Sequence, residues 1–165
     1  MPDRWVVNAS PLITLAKAGH LALLPLLAPA LVIPEAVVRE VLAGPVTDPA
    51  RQALERGWGT HITVAQVPAL LLEWGLGAGE TAVLAVALAH RGWTALLDDA
   101  ASRRCARTLG IPLLGTLGLV LRAKHQGHIA SAAAVVQALR AAGLYVEDAF
   151  ITTVLRESVG ETWPP

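Results

Sequence analysis

Short unbroken apolar runs alternate along this chain with segments whose apolar residues recur every three or four positions. "WVVN" (5–8) reads as a strand, and "PLITLAKA" (11–18) as a helix. A second short helix falls at 21–27, followed by the strand "ALVIP" (30–34). Pro34 then opens the helix "PEAVVREVLAG", which Gly44 stops, and Asp48 caps a helix to Arg56. "HITVAQV" (61–67) is a third strand candidate, with a short helical "PALLLEW" after it. "GETAVLAVALAHRG" (79–92) is apolar nearly all round, so it belongs in the centre of the fold. "TALLDD" (94–99) and "IPLLG" (111–115) are strands around the helix "AASRRCARTLG" (100–110). Helices at 116–127, 131–143 and 148–160 complete the chain.

Such alternation predicts an α/β fold: a parallel sheet covered on both faces and joined by right-handed crossovers. Chemistry in such folds sits beyond the C-terminal strand ends. Asn8, Asp98 and Asp99 lie at such ends. In the stretch "VVNASPLITLAKAG", Ser10 reads as the N-cap of the first helix and Pro11 as its first residue.

Composition narrows the class. The 165 residues suit a single domain, 1–165, with a core over about 4–127 and a helical part over about 128–160. Hydrophobic residues make up 54% of the chain, and mean hydropathy is +0.52. Pro25 and Pro29 break the longest apolar stretch, "LALLPLLAPALVI", well short of the roughly 20 residues a membrane span needs. "MPDRWVV" lacks the basic opening of a signal peptide. The expectation is a cytoplasmic protein without a membrane role, its excess apolar surface buried in a core or a homodimer interface. The single Cys105 excludes an internal disulfide and a cysteine-rich zinc site, and its helical position suits packing.

Net charge is zero but unevenly spread. Residues 1–99 carry six Lys/Arg against nine Asp/Glu, and residues 147–165 one against four. Residues 100–146 carry Arg103, Arg104, Arg107, Arg122, Lys124 and Arg140 and no acid. This block could face a polyanion or simply be solvated.

Four carboxylates lie in apolar contexts: Glu40, Glu80, Asp98 and Asp99. Each has an ordinary explanation. Glu80 suits a first helical turn, Asp99 an N-cap, and Glu40 a partner Arg. Together, carboxylates from separate elements repel one another unless a cation lies among them. A hard divalent ion such as Mg2+ fits that role and could promote phosphodiester hydrolysis. Other chemistries lack support. "GLGAGE" has Glu80 where a dinucleotide fingerprint needs glycine; GK[ST] and HExxH are absent; His125 and His128 have no obvious third ligand.

The ordered set "VVNASPLITLAKAG", "VIPEAVVREVLAG", "LGAGETAVLAVALA", "LLDDAASRRCARTLG" and "LLGTLGLVLRAKHQG" resembles the PIN-domain superfamily, specifically a prokaryotic branch of PIN-like nucleic-acid-binding and toxin-type proteins. The resemblance implies a three-layer α/β/α sandwich around a parallel sheet. It also implies a ribonuclease dependent on Mg2+ or Mn2+, with RNA as substrate and a small antitoxin as partner. The implied catalytic and metal-binding acids are Glu40, Glu80 and Asp98–Asp99, with Asp99 the better match. Ser10 and Thr116 match small hydroxyl positions, and Arg103 could touch phosphate or pair with the acids. Arg104, Arg107, Arg122 and Lys124 would extend the nucleic-acid surface. Asn8 falls where the superfamily has its first acid. An amide oxygen can coordinate a hard metal weakly but cannot act as a base. A PIN-like binding module with little catalysis therefore stands as the alternative.

Overall fold

A computed structural model describes residues 3–165. Five parallel strands form one sheet in the order β3-β2-β1-β4-β5. They are β1 (Arg4–Val7), β2 (Ala30–Pro34), β3 (Thr60–Ile62), β4 (Thr94–Leu96) and β5 (Leu113–Leu114). Helices cover it as a three-layer α/β/α sandwich. β1 is central because Trp5, Val6 and Val7 are all fully buried, as an unbroken apolar run requires. Its Trp5 pairs in register with Leu31 on one side and Thr94 on the other. The order runs from β1 outward through β2 to β3, then restarts on the other side of β1 with β4. The topological switch point, where such sheets bind ligands, thus lies between the ends of β1 and β4.

The helices are α1 (Ala9–Lys17), α2 (Leu23–Leu27), α3 (Glu35–Leu42), α4 (Pro49–Glu55), α5 (Ala69–Leu72), α6 (Ala78–Ala89), α7 (Ala100–Thr108), α8 (Thr116–His125), α9 (Ala132–Ala141) and α10 (Asp148–Val159). α6 is the central one, with every residue from Thr81 to Ala87 buried. It packs on β1, β2 and β4 and against α3, α5 and α7. α8 packs against α9 and α10. Val136, Leu139, Ile151 and Leu155 of those last two helices share one continuous hydrophobic cluster with Trp5 and Leu96.

Three differences from the sequence expectation have physical causes. The first helix begins at Ala9, so Asn8, not Ser10, is its N-cap, and Pro11 is its third residue. Pro11 is tolerated there because first-turn N–H groups have no intrahelical partner. Asn8 has extended backbone, and its side chain makes no capping bond, being turned elsewhere. The third strand stops at Ile62, whose register partner is Pro34, the last residue of β2 before α3. The fourth stops at Leu96 because its neighbours run out: β1 ends at Val7 and β5 has two residues. Leu97 still donates to Leu114 O at 3.0 Å, and the chain then leaves the sheet at Asp98 and Asp99. Asp48 caps α4 as expected, accepting from Ala50 N at 2.8 Å.

Candidate active site

The end of β1 delivers Asn8 into a nearly closed position; the residue is 2% exposed. Its Nδ2 donates to Glu80 Oε1 at 3.3 Å. Its Oδ1 is buried and accepts no hydrogen bond. Among the described residues, the only other buried side-chain N or O atom without a partner is the donor Trp5 Nε1. An orphaned buried acceptor is costly in a folded protein unless a ligand or water completes it.

Glu80 stands in the first turn of α6, where the helix dipole favours a negative charge. Glu40 reaches the same place from α3, which packs on α6. Gly79 makes the approach possible. A Cβ on Gly79 would lie 2.6 Å from Glu40 Oε2 and 3.2 Å from Asn8 Oδ1. Two acceptor oxygens thus converge over a glycine, with no hydrogen between them to bond. Desolvation, and secondly the nearby Glu80 charge, push the Glu40 carboxyl above the ordinary carboxylate range. Among the described residues, none of Glu40, Glu80, Asp98 and Asp99 forms an ion pair.

Past β4 the two aspartates divide. Asp98 is held by α8: Thr116 N donates to its Oδ1 at 2.8 Å and Thr116 Oγ1 to its Oδ2 at 2.5 Å. Asp99 caps α7 instead, its Oδ2 accepting from Ser102 N at 2.9 Å and Ser102 Oγ at 2.8 Å. The Ser102 backbone bond, then the Ser102 hydroxyl, hold the Asp99 carboxyl below its ordinary value. Asp99 is thus the capping residue that its position before a helix allowed, and Asp98 is the acid turned toward Thr116. Arg103 Nη1 donates to Leu97 O at 2.9 Å. A Cβ on Gly115 would lie 2.6 Å from that Nη1 and 3.4 Å from Asp98 Oδ1, so Gly115 keeps guanidinium and carboxylate close.

The basic block is not one free face. Arg122 pairs with Asp3, just before β1, at 3.0 Å, and Lys124 pairs with Glu161 at 3.3 Å. Arg140 pairs with Asp148. Arg104 and Arg107 are exposed on α7 without an ion pair among the described residues. From this block Arg103 of α7 lies beside Asp98, while Arg39 of α3, outside the block, shares a pocket with Glu40 and Glu80. Ser10 is exposed on the first turn of α1. Cys105 is buried, and that burial raises its thiol pKa.

The DUF3368 family, a PIN domain, matches the chain over residues 4–161. The chain belongs to the PIN-domain family. That match spans every strand and helix described above. Nuclease activity, nucleic-acid binding and dependence on a divalent metal are general properties of PIN domains. No protein of curated function matches the chain. No described helix is long and apolar enough to cross a membrane.

The donor set suits a hard cation. Glu40, Glu80 and Asn8 offer only oxygens, and the unpartnered Asn8 Oδ1 beside Glu40 Oε2 is what such an ion would complete. Among the described residues, no three of His, Cys, Asp and Glu come together. The convergent group is two carboxylates and an amide, with Asp98 held separately by Thr116. Gly79 and Gly115 are the residues sequence reasoning missed. Gly79 lay inside "GLGAGE", whose glycines resembled a weak nucleotide motif; nothing in "LLGTLG" marked Gly115.

Proposed function

We propose that this PIN domain is a divalent-metal-dependent endoribonuclease and the toxin of a pair with a small antitoxin. The observation that carries the proposal is the orphaned Asn8 Oδ1 between Glu40 and Glu80 at the topological switch point. Glu40, Glu80 and Asn8 would hold Mg2+ or Mn2+, which when bound polarises a phosphoryl oxygen and acidifies water. The reaction adds water across a P–O bond, leaving a phosphate on one product and a hydroxyl on the other. Arg103 has guanidinium N–H groups beyond the one given to Leu97 and offers them to a phosphate. Thr116 fixes the orientation of Asp98, so that carboxylate needs no reorganisation when substrate arrives. Arg104 and Arg107 extend the phosphate contact without reading sequence.

Incubation of single-stranded RNA with the purified chain and Mn2+ or Mg2+ tests this. Cleavage is expected, abolished by EDTA and by Glu80→Ala. Cleavage that survives both excludes the reading. An antitoxin would appear as a small protein encoded beside the gene that co-purifies with the chain and suppresses cleavage. A homodimer would be read by light scattering.

Asn8 favours one second reading. With an amide where PIN domains carry an acid, the chain could bind RNA with little hydrolysis. That reading predicts salt-sensitive RNA binding in EDTA and no cleavage in Mn2+ by the wild type.

A further inference from the structure

The chain contains five Trp, one Tyr and one Phe. All five Trp are buried or half-buried. The one Tyr and the one Phe are not: Tyr145 is 89% exposed and Phe150 is 56% exposed. Both line a single groove of about 480 Å3, which also includes Asp98, Arg103 and Gly115. The groove is apolar along α8, through Leu117 and Leu121, and polar at the end where it meets Asp98 and Arg103. Its volume lies within the usual range for small-ligand sites.

We propose that this groove binds an unpaired nucleotide of single-stranded RNA, its base against Tyr145 and Phe150 and its phosphate at Arg103. This rests on the ribonuclease reading of the neighbouring site and adds how the substrate strand is held. Charge and shape select the occupant. One end offers a guanidinium with exposed Arg107 a helical turn farther along α7, and the rest offers flat apolar area. A nucleotide has both an anionic and a flat apolar part. An apolar helix laid along the same groove would cover Arg103 and gain nothing from its charge. Aromatic rings hold bases of any sequence, because every base presents a π-face. Rings left exposed to water gain by covering their apolar faces when a base arrives. The continuity of the groove with Asp98 places the bound nucleotide next to the proposed scissile region.

The test uses the full chain in EDTA and a fluorescein-labelled single-stranded 12-mer RNA, with anisotropy as readout. A second 12-mer carries abasic riboses at the same phosphates. Tyr145→Ala and Phe150→Ala are each expected to weaken RNA binding on the order of tenfold. Neither should change binding of the abasic oligomer, and Tyr145→Trp should retain wild-type affinity for RNA. Both side chains are exposed, and circular dichroism checks that each variant folds. Equal binding of RNA and abasic oligomer by the wild type overturns the proposal. So do alanine variants with wild-type RNA affinity; if those variants also turn a dimer into a monomer, the groove joins two copies of the chain. Cleavage in Mn2+ is scored separately. Base-dependent binding without cleavage sinks the nuclease reading and leaves the groove assignment standing. Cleavage unaffected by the groove variants, together with unchanged binding, does the reverse.

Discussion

The two flanks of the strand-end site are built on opposite principles. On the Asp98 side both carboxylate oxygens have donors from Thr116, and Arg103 is tied to Leu97. On the Glu40 side two carboxylates face each other across an amide whose oxygen has no partner. The first flank is preorganised by the protein alone. The second is left electrostatically incomplete, as a cation site must be before the ion arrives. Substitutions on the Asp98 flank should therefore alter catalysis through orientation. Those on the Glu40 flank should alter metal dependence and, in the opposite sense, stability.

Beyond the loss expected for Glu80→Ala, the largest effect is expected from removing Asp98, the acid that Thr116 holds ready at the strand end. Asp98→Asn should lower the rate of RNA cleavage about 100- to 1000-fold, the scale set by losing one preorganised electrostatic group. Thr116→Val keeps the shape but deletes the hydroxyl bond to Asp98, and about a tenfold loss is expected. Single-turnover rates at saturating Mn2+ check both. A Thr116→Val enzyme as slow as Asp98→Asn would mean that the hydroxyl itself takes part in the reaction. Asp99→Ala separates the two aspartates. It removes the cap of α7, at about 1 kcal/mol, and should lower the melting temperature by about 2–4 °C. Its cleavage rate should fall less than that of Asp98→Asn; a larger fall would assign the catalytic role to Asp99.

Glycine variants probe the geometry of each flank without removing a charge. Gly79→Ala puts a methyl 2.6 Å from Glu40 Oε2, so that oxygen must shift, and a displacement of about 1 Å at a reacting group can cost about 100-fold. The change is within a helix, where Ala is preferred by roughly 1 kcal/mol, so thermal stability should hold or rise while cleavage falls. Gly115→Ala crowds Arg103 Nη1 and should act on the other flank, weakening RNA binding in EDTA with less effect on metal affinity. If both variants shift metal affinity equally, the flanks are one unit and the contrast fails.

How far the sequence shows this contrast depends on the range of the physics involved. Period and punctuation are local, so "ALVIP", the buried "TAVLAVA" helix and the Asp48 cap are readable directly. The sheet ends are not, because strand length is decided by the neighbour. Nothing local in "HITVAQV" says that pairing stops at the partner of Pro34. The candidate acids are legible from their apolar contexts and the ordered motifs. Their division is not: Asp98 and Asp99 are adjacent, and only the meeting of Asp98 with Thr116, 18 residues on, separates them. The basic block misleads for the same reason. Asp3 and Glu161 lie outside it in sequence yet pair with Arg122 and Lys124.

The smallest effect is also the one that most directly tests the incomplete flank. Glu40 is a carboxylate whose folded pKa is raised by desolvation and by Glu80. Between its ordinary value and the raised one, the folded state holds more proton than the unfolded state. Stability therefore falls as pH rises through that window and stays reduced above it. Glu40→Gln removes the penalty. Without metal at pH 7 and low salt, the variant should melt about 1–2 °C above wild type, a modest gain because solvent screens a partly exposed group. At pH 4 the difference should shrink, since the wild-type carboxyl is then increasingly protonated. Millimolar Mn2+ should reverse the order, because the ion stabilises only the chain that binds it. Differential scanning fluorimetry at the two pH values, with and without Mn2+, reads all four conditions. A Glu40→Gln chain that is less stable without metal would show that Glu40 holds the fold together. The repulsion across Asn8 would then not be the cost at which a cation site is kept open.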